Sequence, residues 1–124
     1  MLLSYNVSYN KNSNFVSLVF FGKTTIEEHL LASKKTYEIC KKHKCLNLIV
    51  DMRKLDETSV DMLDCLYFGK TIAKEYIGFK IANVLPNKSE PRGFVEFTST
   101  VEHNSGVLCQ DFSNIKDAIN WLKS

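Results

Sequence analysis

The sequence predicts an α/β fold: a mixed, mainly parallel sheet entered through an N-terminal β-hairpin, in the order β-β-α-β-α-β-α-β-α. Two observations carry this. Leu3, Tyr5, Val7 and Tyr9 alternate with Ser4, Asn6 and Ser8, and after a turn cluster an apolar run follows at Phe15–Phe21, the pattern of an antiparallel pair. Beyond it, short apolar runs at 46–51, 79–85 and 107–109 alternate with helical periodicities. Such alternation makes the later strands parallel, with right-handed crossovers.

Taken in order, the first strand half-buries one face, and Asn10-Lys11-Asn12-Ser13-Asn14 turns the chain. Phe15–Phe21 is apolar on both sides except at Ser17, so it lies deeper in the sheet. Thr24 and Thr25 each have a glutamate three residues on, and either register gives a capping box for a helix over roughly 25 to 43. Ile26, Leu30, Ser33, Tyr37 and Cys40 form its inward stripe, widened by Leu31 and Ile39. Glu27 and Glu28 at its front and Lys41, Lys42 and Lys44 at its back match the helix dipole.

The run 46–51 reads as a central strand ending on Asp51, followed by a charged loop as far as Ser59. Met62, Cys65, Leu66, Gly69, Ile72, Ala73 and Tyr76 form one helical face, with Thr58 or Ser59 as N-cap and Gly78 at the left-handed C′ position. Phe79–Leu85 is the next core strand. A third helix runs from a Ser89 cap, with Pro91 in its first turn, to His103. Val107–Cys109 is a short strand, and Ser113 caps a last helix whose Ile115, Ala118, Ile119 and Leu122 face inward. No linker, repeat or low-complexity segment interrupts residues 1–124, which read as one domain.

Composition narrows the function. Hydrophobic residues are 44% and charged residues 24%, ordinary for a soluble protein, and a net charge of +2 is too small to argue for nucleic acid or an anionic membrane surface, so neither is expected as partner. No segment approaches the roughly 20 apolar residues of a membrane span. MLLSYNVSYN has neither the basic nor the apolar region of a signal peptide, so a cytoplasmic protein with free thiols at Cys40, Cys45, Cys65 and Cys109 is expected.

Candidate chemistry collects where the parallel strands end. Lys23, Arg53, Lys54, Lys88 and Arg92 are placed to meet an anion with help from helix N-termini, and Asp111 falls at the same edge. The plainer reading, solvated loop residues, is preferred because no glycine-rich phosphate loop is present. Cys40-Lys41-Lys42-His43-Lys44-Cys45 offers three soft ligands where a structural zinc needs four, so a helix end and a buried cysteine are the better reading. His29, His43 and His103 all fall on helices, away from Asp51, and no GxSxG is present; no catalytic set results. Asp51 lacks the acidic pair that a receiver-type phosphoacceptor requires, and a turn or capping role is expected instead. Neither cofactor nor metal is expected.

Two passages carry a family resemblance. One is the helix end Cys40–Cys45 running into Leu46-Asn47-Leu48-Ile49-Val50-Asp51. The other is the ending Asp111-Phe112-Ser113-Asn114-Ile115-Lys116-Asp117-Ala118-Ile119-Asn120-Trp121-Leu122. With the order of elements, they resemble the STAS superfamily and its SpoIIAA-like fold, in particular small single-domain bacterial STAS-like proteins, over about Thr24 to Leu122. The resemblance implies a non-enzymatic regulatory domain that binds a protein partner or, in some members, a small ligand such as a nucleotide. In the antagonist proteins a serine of a D-S-S-G type segment is phosphorylated. Here the glycine is absent and the serine is shifted, leaving Thr58 and Ser59 as candidate phosphoacceptors. Asp61 already places negative charge in that first turn, so capping is the preferred role for both.

The expected partner surface is therefore Arg53, Lys54, Asp56, Thr58, Ser59 and Met62, beside Lys88 and Arg92. The alternative is a small anionic ligand, a nucleotide or phosphorylated metabolite, held by Lys23, Arg53, Lys88 and Arg92. A homodimer through the first strand or an exposed helix face is a third possibility.

Overall fold

The computed structural model describes residues 4–55, 74–85 and 107–124. Within them lie β1 (Tyr5–Asn10), β2 (Phe15–Gly22), α1 (Ile26–Lys42), β3 (Asn47–Leu55), β4 (Lys80–Val84), β5 (Leu108–Phe112) and α2 (Ile115–Lys123). The five strands form one sheet in the order β1-β2-β3-β4-β5. β1 and β2 are antiparallel and every later pair is parallel, as the alternation predicts. The helices expected over about 58–76 and 89–103 lie outside the described residues except at their borders.

The period-2 rule sorts the strand residues onto two faces. Val16, Leu18, Phe20, Leu48 and Ile81 join α1's Ala32 and Cys40 in one buried cluster. Phe15, Ile49, Ala82 and Val84 join Ala118 and Leu122 of α2 in the other. β2, β3 and β4 are thus apolar on both sides, which explains their near-continuous hydrophobic runs. On α2's side, β1 presents exposed Asn6, Ser8 and Asn10.

Capping decides between the two threonines. Thr25 accepts from the Glu28 N–H at 3.2 Å while Glu28 Oε1 accepts from the Thr25 N–H at 3.1 Å. Ser4 also donates to Glu28, tying β1's start to the same cap. Thr24 is buried and bonds His29 instead.

Several boundaries differ from the sequence reading. α1 buries His29, Ala32, Ser33, Thr36 and Cys40, while Leu31 stays 59% exposed. The expected stripe of Ile26, Leu30, Ser33, Tyr37, Ile39 and Cys40 does pack on the core, with His29, Ala32 and Thr36 added to it. Thr36 can be buried because its hydroxyl donates to the Ala32 carbonyl at 2.7 Å, and of the expected stripe Leu31 alone stays outside. α2 is capped by Asn114, whose Oδ1 accepts from the Asp117 N–H at 2.9 Å, not by Ser113. Gly78 has the positive φ expected (+89°), in a turn closed by Phe79 N–H to the Tyr76 carbonyl at 2.9 Å rather than at the helix's C′ position. β5 runs on to Phe112, so Asp111 is a strand residue and accepts from Asn83 Nδ2 at 3.2 Å, not a loop residue at the sheet's end.

α2 is held down by one lysine. Lys80 Nζ lies 4.7 Å from the Trp121 ring centroid and donates to the Trp121 carbonyl at 2.6 Å. That carbonyl also accepts from the Ser124 N–H at 3.2 Å and its hydroxyl at 2.6 Å, and a cation at the helix's last turn complements the helix dipole. Among the described residues no helix is long and apolar enough to cross a membrane.

Candidate functional site

The largest departure lies at the end of β3. The strand does not stop at Asp51 but continues to Leu55, so Arg53 and Lys54 belong to a strand rather than to a loop. The reason is its neighbour: β2 runs to Gly22 and pairs Phe21 with Lys54 and Gly22 with Leu55. Between the pairs Val19–Asp51 and Phe21–Lys54, the register shifts, and Met52 and Arg53 together face Phe20. This is a two-against-one bulge, a device that re-aims side chains near functional edges.

Asp51 is built into the bulge. Its Oδ1 accepts from the Arg53 backbone N–H at 3.1 Å and from Arg53 Nε at 3.0 Å, and its Oδ2 accepts from Nη2 at 2.8 Å. The bidentate fork is the strong geometry for a carboxylate and a guanidinium. Burial by itself raises the Asp51 pKa, but the hydrogen bonds and charge of Arg53, with Lys54 further off, outweigh it and hold the carboxyl below its ordinary value. Asp51 is thus an ionised clamp rather than a proton donor, and the turn-type role expected for it takes the form of a bulge clamp. Asp51→Ala removes all three acceptor contacts and is expected to cost about 2 kcal/mol, read as a lowered urea midpoint at pH 7. Because the native pKa is depressed, that contribution is present above the unfolded carboxyl pKa and fades as the pH falls through the native one.

The surface around the clamp is mixed. Phe21 is 37% exposed, and Lys54 Nζ sits 5.5 Å from its ring centroid, a cation–π arrangement. The Arg53 side chain remains 46% exposed despite its salt bridge. Lys23 is exposed just beyond β2. Of the residues expected to bind a partner or an anion, the structure therefore places Lys23, Arg53 and Lys54 at the ends of neighbouring strands. It joins Arg53 to Asp51 and Lys54 to Phe21. Asp56, Thr58, Ser59, Met62, Lys88 and Arg92 lie outside the described residues. Phe21 was missed by the sequence reading. Its signal was the adjacent pair Phe20-Phe21, since consecutive strand residues point to opposite faces and only one can enter the α1 core.

Two other titratable groups, His29 and Cys40, are buried. His29 is 1% exposed, stacks on Phe20 at 4.4 Å and shares a hydrogen bond with Thr24 Oγ1 at 2.5 Å. Cys40 and Cys45 are free thiols, and Cys109 Sγ accepts from Asn83 Nδ2 at 3.1 Å. Burial first, and the neighbouring Cys45 second, push the Cys40 pKa up to about 12, so it stays a thiol. Cys45 Sγ contacts the Asn14 and Asn47 carbonyls at 3.5 and 3.4 Å, and His43 stacks on Tyr9 at 3.9 Å. Cys40, His43 and Cys45 thus serve packing. Among the described residues no group of three or more His, Cys, Asp or Glu side chains is placed to hold a metal ion.

No protein-family model matches the chain, and no curated protein matches it. Solved structures do. An uncharacterized protein of the DUF3478 family with a SpoIIAA-like fold, from Shewanella loihica PV-4, is similar with a TM-score of 0.59 and 16% identity, covering 95% of this chain and 91% of that one. The anti-sigma factor antagonist SpoIIAA in its unphosphorylated form is similar with a TM-score of 0.60 and 11% identity, covering 97% of this chain and 98% of that one. Together with the hairpin-led, otherwise parallel five-stranded sheet, these likenesses identify the architecture: the chain has the SpoIIAA-like fold.

Proposed function

We propose that the protein is a non-enzymatic regulatory module that docks a protein partner through the carboxyl edge of β2 and β3. The observation that carries this reading is the half-exposed Phe21 with Lys54 over its ring, beside an Arg53 held in place by Asp51. An aromatic anchor flanked by cations of fixed geometry is the composition of a protein-binding hot spot. The fold likeness to an anti-sigma factor antagonist supports the same class of role. In this reading Asp56, Thr58, Ser59 and Met62 extend the surface, and Thr58 or Ser59 is the place where phosphate would change it.

The anionic-ligand alternative has less support. Arg53 spends its fork on Asp51, and the pair is close to neutral as seen by an approaching anion. A pull-down from the native cell tests the docking reading, with the intact chain and the double variant Phe21→Ser, Lys54→Glu as baits. Recovery of a partner is expected to drop by roughly tenfold or more in the variant while its melting temperature holds. Equal recovery by both baits would remove this surface from consideration.

A further inference from the structure

We propose that β1 is a self-association edge, through which two copies join antiparallel about Val7 into one continuous sheet. This goes beyond the docking surface at the carboxyl edge and does not depend on it. Among the described residues β1 is the first strand of the sheet, and no strand lies beyond it.

The register shows which backbone groups face outward. Phe21 N–H donates to the Ser4 carbonyl at 2.8 Å, and the ladder continues as Asn6↔Val19, Ser8↔Ser17 and Asn10↔Phe15. In an antiparallel pair, hydrogen-bonded and non-bonded positions alternate. Ser4, Asn6, Ser8 and Asn10 therefore spend their N–H and C=O groups on β2, and those of Tyr5, Val7 and Tyr9 point away from the sheet.

An outward set centred on Val7 is self-complementary. A two-fold axis at Val7 sets Val7 against its own copy and Tyr5 against Tyr9, forming about six backbone hydrogen bonds. Tyrosine meets tyrosine on the α1 side, while on the other side exposed Asn6 meets Ser8. Native edges are normally guarded by lysine, proline or a bulge. The YNVSYN of β1 contains no charge and no proline and pairs with β2 in unbroken register. β5, at the other edge, carries the exposed charge of Asp111. A strand that pairs only with itself in this register selects a second copy over a peptide of unrelated sequence.

A strand-to-strand contact alone is smaller than a standard interface, so the dimer is expected to be concentration-dependent. Sedimentation equilibrium of the intact chain over roughly 1 µM to 1 mM should show the mass rise from one copy to two. One copy is 14.2 kDa. The double variant Asn6→Lys, Ser8→Lys sets like charges directly opposite each other twice and should weaken association by roughly tenfold or more. Asn6→Lys, Ser8→Glu sets opposite charges at the same places and should associate at least as well as the natural sequence. Both positions are solvent-exposed, so folding is unaffected and circular dichroism checks that it is. A single-copy mass throughout the range overturns the proposal. So does a dimer that treats the two charged variants alike.

Discussion

Lowering the pH from 7 to 5 is expected to cost the protein about 2 kcal/mol of stability through His29 alone, rising to about 3 kcal/mol at pH 4. Burial first lowers the His29 pKa, only partly offset by the Glu28 charge, from an ordinary 6.5 to about 4. The unfolded chain thus takes up the proton before the native one. Stability is full above about pH 7, falls as the pH drops from 6.5 towards 4, and levels off below about 4 as the native state also becomes protonated. The structural cause is the enclosure of the ring between Phe20 and α1, with Thr24 as hydrogen-bond partner. Urea midpoints at pH 7.5, 6 and 5 measure the effect. His29→Gln, which cannot titrate, should flatten the profile over that interval. A variant profile parallel to the natural one would assign the pH dependence elsewhere. The interval lies above the range in which Asp51 and Glu28 titrate, both of which are depressed.

Tyr76→Ala is expected to be the most damaging single change among the described residues, at about 3–5 kcal/mol. Tyr76 is 1% exposed and reaches across from the turn before β4 to the Ser33 carbonyl of α1, with its hydroxyl donating at 2.7 Å. Its ring meets Phe79 edge-on at 4.7 Å and Tyr37 edge-on at 5.6 Å. Removing it empties the space where α1, the β4 entry and the core adjoin, and deletes two aromatic contacts at once. Tyr76→Phe keeps the volume and loses only the hydroxyl, so it should cost about 1 kcal/mol. Thermal unfolding of the two variants separates the terms. Similar losses in both would place the energy in the hydrogen bond rather than in packing.

Tyr76 also shows how sequence and structure divide the work. That it is an apolar-side residue was legible from spacing alone, although it stands in the turn before β4 rather than on a helix. Its partner was not, because Ser33 lies 43 residues away and offers a backbone oxygen, a group that every residue possesses and no pattern advertises. The same holds for Lys80, whose bond to the Trp121 carbonyl spans 41 residues. The candidate site was half legible. That polar residues gather after the run ending on Asp51 follows from the strand's hydrophobicity, and Arg53 and Lys54 are where the reading put them along the chain. That they sit in a strand, with Arg53 locked by Asp51, depends on how far β2 extends beside them.

The sequence by itself determined the order of the described elements, the antiparallel hairpin, the parallel strands after it and a capping box at Thr24 or Thr25. These rest on periodicities and contacts within a few residues, which local chemistry dictates. Only the tertiary structure decided the length of β3, the bulge that turns Asp51 into a clamp, and the orientation of α1 that buries His29 while exposing Leu31. A strand goes on as long as a neighbour supplies hydrogen bonds, and a helix turns whichever stripe fills the space beneath it. Both are set by residues distant in sequence, and they leave no mark within the segment itself.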